Sequence, residues 1–266
     1  MIRALWFTTV SFLRQTFRYK FRIFIWSLNS ALWGLLFILP IALFAPQDKS
    51  LADISTFIFL GFIFFLTLSM SLWEVGFELR RQMMRGTLES MLATGHGPWL
   101  IVTGKLLHSL AYFVLDFLVF YAIISAMITP PQLALNNALA LLIGIVGYMI
   151  LLWGHAALMG SMIMVTGTSG PLFEIVNWII PFATGMFAPP ALLPEGMRAV
   201  ALWTPFAHPC ELIRASVTNA PTLLPVNALY VTALLAPLAY AALGFAALAY
   251  AHRKARREGL KTPGMF

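Results

Sequence analysis

Few residues in this chain are of a type and in a setting to do chemistry. Asp116 is the most notable, falling in the middle of "YFVLDFLVFYAII", a run otherwise of aliphatic and aromatic side chains. A carboxylate at the centre of a bilayer costs about 2.5–3.5 kcal/mol on the insertion scale, while each Leu, Ile, Phe or Val nearby offsets about 0.3–0.6 kcal/mol. The run can therefore hold the acid. Two readings stand: a residue on a substrate pathway, the default for an intramembrane acid, or one half of an interhelical hydrogen bond, for instance with Tyr112 one turn earlier.

The other candidates are weaker. His108, His155 and His208 have no metal-ligand spacing with one another or with Cys210, the single cysteine, and read as packed or interfacial polar residues. Glu174, just after "TSGP", reads as an interfacial charge at a helix start. "VTGKLL" carries the Gly-Lys of a phosphate loop, but that motif needs Gly, four residues, then Gly-Lys-Ser/Thr. Trp99 stands at the first glycine's position and Leu106 at the hydroxyl's. No metal, cofactor or nucleotide site is expected on this chain, and no nucleophile–base set accompanies Asp116. The chain is not expected to be an enzyme, and any ATP with its Mg would sit on another subunit.

The elements that hold these residues are membrane spans. Of 266 residues 60% are hydrophobic and only 10% charged, with mean hydropathy +0.85, against about 25% charged in a soluble domain. The net charge of +7 follows the ends of apolar runs rather than a basic face interleaved with aromatics, which argues against nucleic acid. A spanning helix needs about 20 apolar residues. Ile23–Phe44, Ile54–Trp73, Trp99–Ile128, Ala138–Val165 and Val226–Tyr250 qualify, the last with a bend expected at Pro237. Between the last two, "LFEIVNWIIPFATGMFAPPALLPEG" is apolar but interrupted by Pro181, Gly185, Pro189 and Pro190. Its freed backbone groups must lie against protein or line a cavity, so it reads as a broken, re-entrant fifth segment. In the fourth span Gly154, Ala157, Gly160 and Ser161 offer a small-residue face for close helix packing.

The expected fold is an all-α polytopic membrane protein of six spans, in one membrane domain over residues 23–251. With the N-terminus inside, six crossings return the C-terminus there. Arg3, Arg14, Arg18, Lys20, Arg22, Arg80, Arg81, Arg85, Lys105, Arg253, Lys254, Arg256, Arg257 and Lys261 then lie inside; only Lys49, Arg198 and Arg214 lie outside. That bias sets the orientation: a multi-pass protein of the cell (inner) membrane with both termini cytoplasmic. Residues 252–266 form a basic, solvated tail. In the arm 1–22, Ile2, Leu5, Trp6, Val10, Leu13 and Phe17 share one helical face, and Arg3, Ser11, Arg14, Gln15 and Arg18 the other. This is the pattern of an interfacial helix with its cations toward lipid headgroups; a basic flank of the first span is the alternative.

Between the second and third spans lies "EVGFELRRQMMRGTLESMLATGHGPW". Glu74 and Glu78 followed by Arg81 and Arg85 suit a helix running on into the cytoplasm. Gly86 breaks it, Thr87 is placed to cap a short new helix, Glu89 sits in its first turn, and Gly95 with Pro98 ends it. Leu88, Met91 and Leu92 share a face. A helix of about two turns is marginal alone. It is held either by packing on its own membrane domain or by a groove on a cytoplasmic partner.

"RRQMMRGTLESMLATGHGPWLIVTGKLL" resembles the string that precedes the third span in type-2 ABC exporter permeases, and "LWTPFAHPCELIRASVTNA" resembles that family's Pro-Phe/Leu-x-His…Arg segment before the last span. The resemblance extends over nearly the whole chain. It implies a coupling helix at about 78–95, with Glu78, Arg81, Arg85, Gly86, Thr87, Leu88, Glu89, Met91 and Leu92 touching a separate ABC ATPase subunit. It also implies two copies of that ATPase, a second copy of the permease, and a drug, lipid or glycan cargo. Gly95 stands where the family often has proline. The alternative is a stand-alone intramembrane carrier or enzyme using Asp116.

Overall fold

The computed structural model describes residues 2–19, 50–168, 170–218 and 220–260, with 21, 24–25, 28–29 and 32–34 between them. The greater part of the first expected span, Ile23–Phe44, lies outside the described residues. Among the described residues all regular structure is helical. The helices are α1 (Ile2–Arg18), α2 (Leu51–Met84), α3 (Thr87–Ala93), α4 (Trp99–Met127), α5 (Ala138–Thr166), α6 (Pro171–Ala183), α7 (Glu195–Trp203), α8 (Ala207–Val217) and α9 (Val226–Glu258), with a 3-10 turn at Pro190–Leu192.

Four of these, α2, α4, α5 and α9, are long and apolar enough to cross a membrane, as expected of a multi-pass membrane protein. The boundaries follow local chemistry. Ser50 caps α2 by accepting from the Asp53 N–H, and Asn137 caps α5 through the Ala140 N–H. Gly167, at φ 75°, ends α5 in the left-handed conformation that glycine adopts without a Cβ penalty. The segment after α5 is broken, as its prolines demand. At 13 residues, α6 is about 20 Å long at 1.5 Å per residue, short of the bilayer core. The chain then turns at Gly185, φ 73°, into the 3-10 turn and α7.

α9 runs helically through Pro237 and continues past Tyr250 to Glu258; at the start of the basic tail Ala255 is buried while Arg253, Arg256 and Arg257 are exposed, and residues 261–266 lie outside the described residues. In α1 the residues that meet the bundle are Thr8 over Gly104, Phe12 against His108 and Thr16 bonded to His108. Trp6 and Phe17, placed on the apolar face, are exposed. Arg3, Ser11, Arg14, Gln15 and Arg18 are exposed as expected.

The core centres on α2, whose Phe59 and Phe62 stack on Phe120 of α4 and whose Thr67 bonds Tyr148 of α5 at 2.7 Å. The closest packing is α5 on α9. A Cβ on Gly147 would strike the Ala233 carbonyl, one on Gly154 the Ala241 backbone, and one on Gly244 the Gly154 carbonyl. The small-residue face is thus consumed inside the chain. Helix α8 lies on the same α5 face, with Ile213 on Gly144 and Pro209 beside Gly147. Gly147→Ala should therefore cost about 1–3 kcal/mol through overpacking against rigid backbone, whereas Gly196→Ala, which meets nothing within 4 Å, should stay within about 0.5 kcal/mol. Thermal unfolding of both variants in detergent, against the parent chain, checks this.

Candidate functional site

Two polar constellations stand out, one at each end of the bundle. The first is the elbow between α2 and α3. Helix α2 continues to Met84 as one piece, Gly86 takes φ 68°, and α3 begins. Thr87 does not cap α3: Gly86 holds that position without a side-chain bond, and the Thr87 hydroxyl donates back to the carbonyl and side chain of Gln82. Glu78 is buried and accepts from Arg81 and from Gln82 Nε2. These bonds tie the last turns of α2 to the elbow.

The apolar face of α3 is already occupied. Leu88 is 0% exposed and belongs to the chain's own core, with Met91 and Leu92 packed against it. The bundle itself therefore holds this seven-residue helix, and no partner is needed to give it shape. Of the residues expected to touch a partner, Glu78 and Leu88 are turned inward. Arg85, Thr87 and Glu89 are exposed, beside Met84 and Ser90, while Arg81, Gly86, Met91 and Leu92 are half-buried.

Beside the elbow, three helices meet in a polar chain. Lys105 of α4 pairs with Glu74 of α2 at 2.7 Å and reaches His108 Nδ1 at 3.3 Å. His108 Nε2 lies 2.7 Å from the Thr16 hydroxyl of α1. An ammonium only donates, so Nδ1 accepts and Nε2 carries the proton toward Thr16. Phe12 covers the pair, its ring centroid 5.7 Å from Lys105 Nζ.

The second constellation is on α8. Its Glu211 and Arg214 are 2% and 1% exposed. Arg214 Nη2 donates to the carbonyls of Gly185 at 3.2 Å and Met186 at 2.5 Å, where the chain breaks after α6, and its guanidinium lies 5.7 Å from the Phe64 ring centroid. The Leu223 N–H, in the loop before α9, donates to Glu211 Oε1. Burial pushes the Glu211 carboxyl up, opposed by the Leu223 N–H and by Arg214. Burial likewise lowers Arg214 to about 10. Arg214, counted from the sequence with Lys49 and Arg198 outside the membrane, is thus a buried residue of α8.

The remaining candidates are dispersed. Asp116 is buried at 2% exposure, and the side chain of Tyr112 lies outside the described residues. His155 is buried and bonds Tyr240 at 2.9 Å, His208 is buried in α8, and Glu174 is exposed in the first turn of α6. No protein-family model matches the chain, and no curated protein matches it.

The two faces of α3 should separate cleanly in mutants. Leu88→Ala should cost about 2–5 kcal/mol as a buried truncation, and Glu89→Ala should stay within about 0.5 kcal/mol. Unfolding temperatures of the two variants read the difference; equal losses would mean that Leu88 is not the anchor.

Proposed function

We propose that this chain is the transmembrane permease subunit of an ATP-driven exporter of the ABC type. On this reading six spans, including Ile23–Phe44 and a re-entrant fifth segment, place both termini in the cytoplasm. Two copies of the permease enclose a path for an amphipathic, lipid-like, drug-like or glycan substrate. Two separate ATPase subunits bind ATP and Mg and grip the cytoplasmic elbows, while α1 lies among lipid headgroups.

The observation that best supports this is the build of the elbow. A coupling element must present a surface to its motor and transmit displacement to the spans. Here the exposed surface is Met84, Arg85, Thr87, Glu89 and Ser90. It is fixed to the bundle by Leu88 and to α2 by the Glu78 and Gln82 bonds. A push on that surface moves α2 as a rod instead of bending a loop. The strings around Arg85–Glu89 and Pro205–Arg214 add the resemblance stated above. Energetically, the ATPase must bind one permease arrangement better than the other, or nothing moves. The alternative is a stand-alone carrier or enzyme built on the buried Asp116.

The test is association. When the permease is co-expressed with a phosphate-loop ATPase encoded beside it, the pair should co-purify. The charge reversal R85E/E89R, confined to exposed residues, should abolish the companion while leaving the unfolding temperature unchanged. Undiminished co-purification of a folded double variant would overturn the docking assignment.

A further inference from the structure

The charges of α8 are arranged in a way that their structural role alone does not explain. Glu211 and Arg214 are one helical turn apart, a spacing at which opposite charges on a helix readily pair. Both are buried, where the gain from pairing is largest. Yet they do not form an ion pair, and each instead holds a different stretch of backbone. Arg214 grips Gly185 and Met186 after α6, and Glu211 grips Leu223 before α9. Meanwhile Arg214 Nε and Nη1 are buried with no hydrogen-bond partner. A buried donor left unmade needs a reason. Here the carboxylate that could take those donors is three residues away on the same helix.

We propose that Glu211 and Arg214 form a two-position latch. In the described position α8 clasps the break at 185–186 and the loop at 223 together. In the second position the two side chains pair with each other, Arg214 Nε or Nη1 donating to the Glu211 carboxylate, and both backbone segments are released. The release parts α6 and its following turn from the loop leading into α9. It opens the end of the bundle that carries the α5 and α9 N-termini, opposite the elbow. The second position gives up three charge-to-backbone bonds and gains the charge-to-charge pair made by donors of Arg214 that the first leaves unmade, with no charge left stranded in either. That near-balance is what a switch between two states requires. Treating the opening as the exit of a transport path rests on the exporter reading; the latch itself does not.

The chain contains its own reporter. Cys210 is the single cysteine, lies one turn before Arg214, and is 1% exposed, so a thiol reagent reaches it only when this end opens. The experiment measures the rate of Cys210 modification by N-ethylmaleimide, which crosses membranes, in vesicles holding the chain without any ATPase. E211Q keeps an oxygen to accept from the Leu223 N–H but removes the charge that the second position needs. The change weakens the Leu223 bond but removes the whole charge-to-charge pair, the larger loss, so the variant should label several-fold more slowly than the parent chain. The swap E211R/R214E keeps the pair but supplies no acceptor for Leu223 and no donor for the two carbonyls, and it should label faster than the parent. A static structural role predicts the opposite for E211Q. Labelling at or above the parent rate overturns the latch, and so does loss of folding by E211Q, since a carboxamide oxygen still accepts from the Leu223 N–H in the described position. Because no ATPase is present, failure here leaves the association test of the exporter reading untouched, and the converse holds.

Discussion

The architecture depends on one close approach, the backbone of α5 against the backbone of α9. Gly147, Gly154 and Gly244 let carbonyl and Cα atoms of the two helices meet where any side chain would hold them apart. In hydrocarbon there is little hydrophobic drive between helices, so such van der Waals contact is what holds spans together. The same bare face of α5, at Gly144 and Gly147, also seats α8 through Ile213 and Pro209. That seating brings Arg214 to the carbonyls of Gly185 and Met186. A helix that stops at Ala183 and turns at Gly185 exposes backbone groups that lipid cannot satisfy. A buried guanidinium answers that need, and the glycines of a neighbouring helix decide where it stands.

A polar cluster stands at each end of the bundle. At one end Leu88 pins α3, and the Glu74–Lys105 pair with His108 and Thr16 locks α1, α2 and α4 together. At the other, α8 clasps two irregular segments. Helix α2 touches both: its last turns form the elbow, and Gly61 lies against the backbone of Met186 and Phe187. It is a 34-residue helix, about 50 Å long at 1.5 Å per residue. A rod of that length, fixed at the elbow and in contact with the clasped break, gives a physical route between the two ends.

Much of this was legible from residue order, and what was legible was local. The apolar runs marked α2, α4, α5 and α9 because length and hydropathy alone decide whether a helix can cross a bilayer. Gly86 and Gly95, both at positive φ, marked the ends of α3, and the prolines marked the broken segment. What residue order did not show was which partner outside its own helix a side chain would meet. Thr87 looked like a cap, but its hydroxyl turned to Gln82 of the preceding helix. Nor did residue order say that α4 presents Gly104 with Lys105 and His108 to α1, which suits Thr8, Phe12 and Thr16.

Sequence by itself determined that this is a multi-pass helical membrane protein, roughly where its long described helices lie, and that a short helix set off by Gly86 and Gly95 follows α2. Those properties come from composition, periodicity and backbone preference, each read within a few residues. Tertiary structure alone decided which face of α3 is free and that Arg214 and Glu211 are interior charges. Burial and pairing depend on which surfaces are brought together by helices from across the chain, and no window of sequence contains both sides of such a contact.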